Sequence, residues 1–84
     1  LTEVKPDYPP EARRLGLEGV VVLRVGVDRR GEVRSVRVLR GAGHGFDDAA
    51  VRALWRAKWR AARTLDGRAV DVQFNYRYTF QDNR

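Results

Sequence analysis

The sequence contains no cysteine and no methionine, and its three prolines all fall within the first ten residues. Without cysteine, neither a disulfide nor a thiolate metal site can hold the fold together, so stability must come from apolar packing. No apolar run approaches the roughly 18 to 20 residues that span a bilayer, and no signal sequence opens the chain. Because the chain begins at Leu1, we expect a fragment of a longer protein with any membrane anchor outside it.

Groups that support catalysis are also scarce. The one histidine, His44, lies between glycines, where we expect it to be solvated. Asp47 and Asp48 follow it at the start of a predicted helix, a position that helix capping and the helix dipole already explain. The glycines nearby lack the lysine and hydroxyl of a phosphate-binding loop. We therefore predict no enzymatic activity, no cofactor and no metal site.

Charge is unbalanced, with seventeen basic against eleven acidic residues and a formal net charge of +6. The 84 residues suit one domain, which buries about 60 to 65% of the surface exposed by the unfolded chain. The positive charge favours an acidic partner without choosing among nucleic acid, anionic peptide and lipid.

Turn residues and apolar periodicity divide the chain into six parts. An extended arm over residues 1–8 precedes a folded core over residues 9–84. The core begins with a short helix over 9–15 and a strand over 19–28, which a type I turn at Asp28–Gly31 joins to a second strand over 32–40. A long helix starts at Phe46, and a third strand covers 68–81.

The faces of these elements follow from the same periodicity. The long helix has an apolar stripe of Phe46, Ala49, Ala50, Ala53, Leu54 and Ala57. Arginines at helical spacing, Arg52, Arg56 and Arg60, form its other side. In the second strand, Val36 and Val38 are predicted to share a face with Arg34 and Arg40, opposite Ser35, Arg37 and Leu39.

Assembled, the pieces predict an α+β fold in which a three-stranded antiparallel sheet of order 2-1-3 has both helices on one face. The third strand then lies at an edge, and its fourteen residues would extend about 46 Å, longer than its neighbour can cover. Natural edges are blunted by proline or inward charge, and this strand has neither. Either the chain's own arm or a second copy caps the edge, or a partner peptide adds to it as a strand.

Seven short motifs occur in order along the chain: Tyr8-Pro9-Pro10-Glu11-Ala12-Arg13, Gly16-Leu17-Glu18-Gly19, Val25-Gly26-Val27-Asp28, Gly31, Phe46-Asp47-Asp48-Ala49-Ala50, Trp59-Arg60-Ala61-Ala62 and Asp66-Gly67-Arg68-Ala69-Val70. Together they resemble the C-terminal domain of the TonB family, from about Pro6 to Phe80. Ala61 departs from the pattern, because the family commonly has proline there, and the exit from the long helix is expected to bend less sharply.

The resemblance implies a periplasmic module at the end of a longer protein that is anchored in the inner membrane. In this family the N-terminal part works with an ExbB and ExbD type motor, and the domain binds the TonB box peptide of an outer-membrane transporter. Carried over to this sequence, the partner-binding residues are the arm residues Lys5, Pro6 and Asp7 with Val70, Asp71, Val72, Gln73, Phe74, Asn75, Tyr76, Arg77, Tyr78 and Thr79.

Other functions remain open at this level. Domains of this type also serve motility and other trans-envelope machines, and isolated copies can form homodimers through the same edge. The arginine stripe is either a solvated helix face or a contact surface. Nucleic-acid binding by that stripe, with Trp55, Tyr76 and Tyr78 stacking on bases, is a further alternative that we do not expect, because these tyrosines fall on the core face.

Overall fold

A three-stranded antiparallel sheet with two helices on one face forms the fold, as predicted. The computed structural model describes residues 5–82, so the first four residues of the predicted arm lie outside the described part. The elements, in chain order, are α1 (Pro10–Arg14), β1 (Gly19–Val27), β2 (Val33–Arg40), α2 (Phe46–Arg56), β3 (Ala62–Arg63), β4 (Ala69–Val70) and β5 (Val72–Phe80).

The sheet has the predicted order β2-β1-β5, with β1 at its centre. In β1, Val21, Leu23, Val25 and Val27 alternate with residues on the opposite face and are all buried. Strand β5 pairs with β1 in an unbroken register from Gly19 opposite Phe80 to Val27 opposite Val72. One buried apolar face explains the alternation, and the central position suits β1 because Val20 and Val22 make much of its other face apolar as well.

Two local motifs set the ends of β1. At the end of α1, the amides of Gly16 and Leu17 donate to the carbonyls of Arg13 and Ala12, which is a Schellman cap with Gly16 at a φ of 68°. At the other end of β1, the amide of Gly31 donates to the carbonyl of Asp28 over 2.9 Å, which confirms the predicted turn.

Helix α2 buries the predicted stripe, and Phe46, Ala49, Ala50, Ala53 and Leu54 are all within the core. The helix ends at Arg56, however, so Arg60 does not continue its arginine stripe and that prediction was wrong. Continuing the helix would place Trp59 one turn after Trp55, whose side chain is exposed. In the extended exit, the amide of Trp59 instead donates to the carbonyl of Gly31, and its ring packs under the sheet.

The segment predicted as one strand over residues 68–81 is interrupted at Asp71. Its first part, β4, pairs with β3 in a two-stranded hairpin, and its second part, β5, belongs to the main sheet. The hairpin was not predicted, because two-residue strands leave no periodicity in the sequence.

The predicted face of Arg40 was also wrong. The pairing of β1 with β2 shifts between Val22 and Leu23, so that Val22 lies opposite Arg40 while Leu23 lies opposite Val38. This bulge turns Arg40 away from the helices, onto the face that also holds Arg37. Strict alternation cannot anticipate an inserted residue.

Candidate functional site

The outer edge of β5 is unpaired among the residues that the structure describes, since β1 is its one strand neighbour there. The direction of its amides follows from the turn. The amide of Asp28 donates to the carbonyl of Glu32 on the β2 side. Because backbone groups alternate along a strand, the preceding residue, Val27, directs its backbone groups towards β5, where Val72 is its partner. Alternation from there directs the backbone groups of four residues to the free edge, Gln73, Asn75, Arg77 and Thr79.

Side chains of β5 divide between two faces. Val72, Phe74, Tyr76 and Tyr78 lie on the helix side and are half-buried, because α2 packs mainly on β1 and β2. On the opposite side, the guanidinium of Arg24 donates to the side-chain oxygens of Gln73 over 3.0 Å and Asn75 over 3.3 Å. The edge strand is thus fixed on one side by a polar network, while its aromatic side still has surface to bury.

Trp59 supports the edge strand from below. Its ring lies edge-on to Phe74 and Tyr76, with centroid separations of 5.0 Å and 5.8 Å. Burial, followed by the neighbouring Tyr78, raises the pKa of Tyr76, so its phenol stays neutral at physiological pH. The indole Nε1 of Trp59 is buried with no hydrogen-bond partner in the described part of the chain. The family resemblance implies a core position for Trp59, and the ring does pack against the core; its two contacts with β5 carry no signal in the sequence.

The arm is held close to the far end of β5 by Tyr8. Its hydroxyl donates to the carbonyl of Leu17, and its ring lies edge-on to Phe80 at 5.7 Å and to Phe46 at 5.6 Å. The guanidinium of Arg13 covers the same ring at 4.6 Å. The predicted arm residues Lys5, Pro6 and Asp7 directly precede Tyr8 in the chain, and Tyr8 is the arm residue whose ring contacts Phe80 at the end of β5.

The beginning of the predicted binding segment is already engaged. Val70 pairs with Ala62 within the β3–β4 hairpin. The carboxylate of Asp71 accepts the backbone amide of Arg29 over 2.8 Å. The structure therefore gathers the predicted residues from Val72 to Thr79 along one free edge and places Val70 in a different sheet.

Groups that could suggest other chemistry have structural partners or are solvated. His44 is exposed in its glycine loop, and the carboxylate of Asp47 accepts the amides of Ala42 and Gly43 over 2.7 Å and 3.3 Å. Within residues 5–82, no cluster of three histidine or acidic side chains is close enough to bind a metal ion. No helix in this range combines the length and apolarity needed to cross a membrane.

Comparisons with known proteins agree with this geometry. The chain matches the family described as Gram-negative bacterial TonB protein C-terminal over residues 4–81. It is 37% identical over 60 residues to protein TonB of Yersinia enterocolitica, covering 71% of this chain and 23% of that protein. It is 40% identical over 63 residues to protein TonB of Xanthomonas campestris pv. campestris strain B100, covering 74% and 28%.

The solution NMR structure of the Pseudomonas aeruginosa TonB CTD has the same fold. The TM-score is 0.78 at 22% sequence identity, and the match covers 95% of this chain and 81% of that chain. Fold and edge together define a small α+β module with a strand open for pairing. The chain belongs to the TonB C-terminal domain family, and it spans about a quarter of the length of the curated relatives it matches.

Proposed function

We propose that this domain binds the TonB box, an extended peptide segment of an outer-membrane transporter, by adding it as a fourth strand to the edge of β5. The observation that carries the proposal is the unpaired edge, along which Gln73, Asn75, Arg77 and Thr79 present their backbone groups. Strand addition draws most of its affinity from such backbone groups, and alternate side chains supply the specificity.

The binding free energy should also depend on the aromatic side chains on the helix side of β5. Each hydrogen bond between strands contributes roughly 0.5 to 1.5 kcal/mol net, whereas ordering one peptide residue costs roughly 1 to 2 kcal/mol. These contributions nearly cancel, so the affinity must come from additional apolar burial. Phe74, Tyr76 and Tyr78 are half-buried beside the edge, and an apolar side chain of a docked strand would cover them further.

The arm extends the proposed site. Tyr8 is fixed against Phe80, so Lys5, Pro6 and Asp7 can contact the end of a peptide that reaches Thr79. In this proposal residues 1–84 form a single domain, with the arm over residues 1–8 and the folded core over 9–84.

The family match supports a wider role in the cell envelope. In the proposal, the domain is the periplasmic end of a protein that is anchored in the inner membrane and coupled to an ExbB and ExbD type motor. A pull along the docked strand would load all the hydrogen bonds of the ladder together, which suits the transmission of mechanical energy. The domain would act as a binding module and not as an enzyme.

Proline substitution on the free edge tests the proposal. We expect Asn75→Pro to abolish binding of TonB box peptides from candidate outer-membrane transporters, because proline removes an outward amide. The matched control is Val38→Pro, since the same alternation directs the Val38 amide to the opposite edge of the sheet, on β2. Titrations followed by NMR measure the affinity, and circular dichroism verifies that both variants fold.

Unchanged affinity in folded Asn75→Pro would rule out docking at this edge. Equal losses in the two proline variants would show that the effect is a general one on the sheet. Sedimentation analysis without peptide separates strand addition from pairing of two copies through β5, because only the latter depends on protein concentration.

A further inference from the structure

The face of the sheet that points away from the helices, termed the outer face, concentrates arginines from all three strands. Val22 of β1 lies opposite Arg40 on β2 and opposite Arg77 on β5, so the three side chains form one row. In the neighbouring row, Arg24 lies directly opposite Arg37. These four arginines, Arg24, Arg37, Arg40 and Arg77, form a group that we call the arginine face.

The charge of the arginine face is not neutralised within the described residues. The guanidinium groups of Arg37, Arg40 and Arg77 have neither a hydrogen bond nor an ion pair there. The outer-face positions of the three paired strands contain no carboxylate. Like charges directly opposite each other in a sheet are destabilising, so the pair of Arg24 and Arg37 does not serve folding.

Acidic side chains at the turn end of the sheet are already paired. The carboxylate of Asp28 accepts a hydrogen bond from the guanidinium of Arg34 over 2.9 Å. The carboxylate of Asp71 lies 3.7 Å from the guanidinium of Arg29. Charges therefore compensate at one end of the outer face and remain uncompensated at the other. A ligand with negative charge is favoured at the second end.

A depression of about 580 Å³ lies among the uncompensated arginines. Val20, Val22 and Leu39 supply its apolar part, and Arg40 and Arg77 flank it. Leu39 is 43% exposed, so the depression holds apolar surface that would gain from being covered.

We propose that the arginine face is a second docking surface, for an acidic peptide segment that places an apolar side chain in the depression. Its carboxylates would bind Arg40 and Arg77, which are two strand spacings, about 10 Å, apart. A flat bilayer surface cannot reach into a depression. Nucleic acids recognised as single strands need aromatic rings for stacking, and the outer-face positions of the three strands have none. The arginine face uses the side chain of Arg77, whereas the β5 edge uses its backbone groups, so the inference does not rest on the proposed function.

A designed peptide tests this inference with the 84-residue chain itself. The probe is acetyl-Glu-Ser-Leu-Ser-Glu-Ser-Leu-Ser-Glu-amide, which presents glutamate and leucine on one side when it is extended. We expect Arg40→Gln with Arg77→Gln to weaken binding at least about tenfold, because two charge-assisted contacts are lost. The control pair, Arg52→Gln with Arg56→Gln, changes the net charge equally on α2 and should alter the affinity less than about twofold.

Two further measurements separate the surface from alternatives. Binding of the probe should persist in Asn75→Pro, in which the β5 edge is blocked, and it should weaken when serine replaces both leucines of the probe. Equal losses in the two arginine pairs would overturn the inference in favour of nonspecific charge. Absence of probe binding would also overturn it, whether or not phosphatidylglycerol vesicles or a random DNA oligomer bind through Arg40 and Arg77.

Discussion

Leu54 provides the sharpest test of how the helix is placed on the sheet. Its side chain is 1% exposed and belongs to the buried cluster that includes Leu23 and Val25. Replacement by alanine removes three carbons, which costs roughly 2.4 kcal/mol at about 0.8 kcal/mol for each buried methylene. Incomplete collapse of the cavity adds to this, so we expect Leu54→Ala to lose about 3 to 4 kcal/mol of unfolding free energy.

That loss is a large fraction of the total. A chain of 84 residues at typical stability per residue has an unfolding free energy of roughly 4 to 13 kcal/mol. In urea denaturation the midpoint should fall by roughly 2 M, which the fluorescence of Trp59 can follow because its ring is packed on β5. The matched control is Leu65→Ala, the same chemical change at a fully exposed hairpin residue. A loss below about 0.5 kcal/mol at Leu54, typical of a surface site, would refute the placement of α2.

The structure also predicts the direction in which two other kinds of substitution change stability. The amide of Glu32, followed by the amide of Arg30 and the guanidinium of Arg34, lowers the pKa of Asp28 below its ordinary 3.8. The Asp28 carboxylate therefore contributes its full stabilisation above pH 3.8, and this contribution is lost as the pH falls through the lower folded-state pKa. Asparagine has no such proton to bind, so on acidification below pH 3.8 the unfolding free energy of Asp28→Asn should fall less than that of the parent protein in urea titrations. Parallel pH profiles would contradict this. Gly31→Ala should be clearly less stable than Gly67→Ala, because both glycines have positive φ but a Cβ at Gly31 would lie 2.0 Å from the Trp59 carbonyl oxygen; equal denaturation midpoints would be the contrary result.

Elements with strong periodicity were predicted well from the sequence. The stripe from Phe46 to Leu54 and the alternation of β1 and β5 reflect burial on one face. The apolar pattern of each segment indicates this burial without knowledge of the segments it packs against. Together with the turn at Asp28, they sufficed for the sheet order and for the edge position of β5. The absence of proline and of inward charge in β5 then marked this edge as open to pairing without any coordinates.

Features that depend on contacts between distant segments were missed. After α2 ends at Arg56, the amide of Trp59 donates to the carbonyl of Gly31. Nothing in the sequence indicates that these two distant residues meet. The bulge that moves Arg40 to the outer face depends on how β2 pairs with β1, and the arginine face therefore stayed hidden. Which amides of β5 point outward also required the observed pairing, since a shift of one residue would exchange the two sets.

Hydrogen exchange at the edge of β5 tests strand addition most directly. On saturation with a TonB box peptide that binds, the amides that point outward, those of Gln73, Asn75, Arg77 and Thr79, should exchange markedly more slowly. Amides that already bond to β1, such as those of Phe74 and Tyr76, should change much less. Unaltered exchange at all four outward amides in the bound state, with protection confined to other segments, would contradict peptide docking on β5.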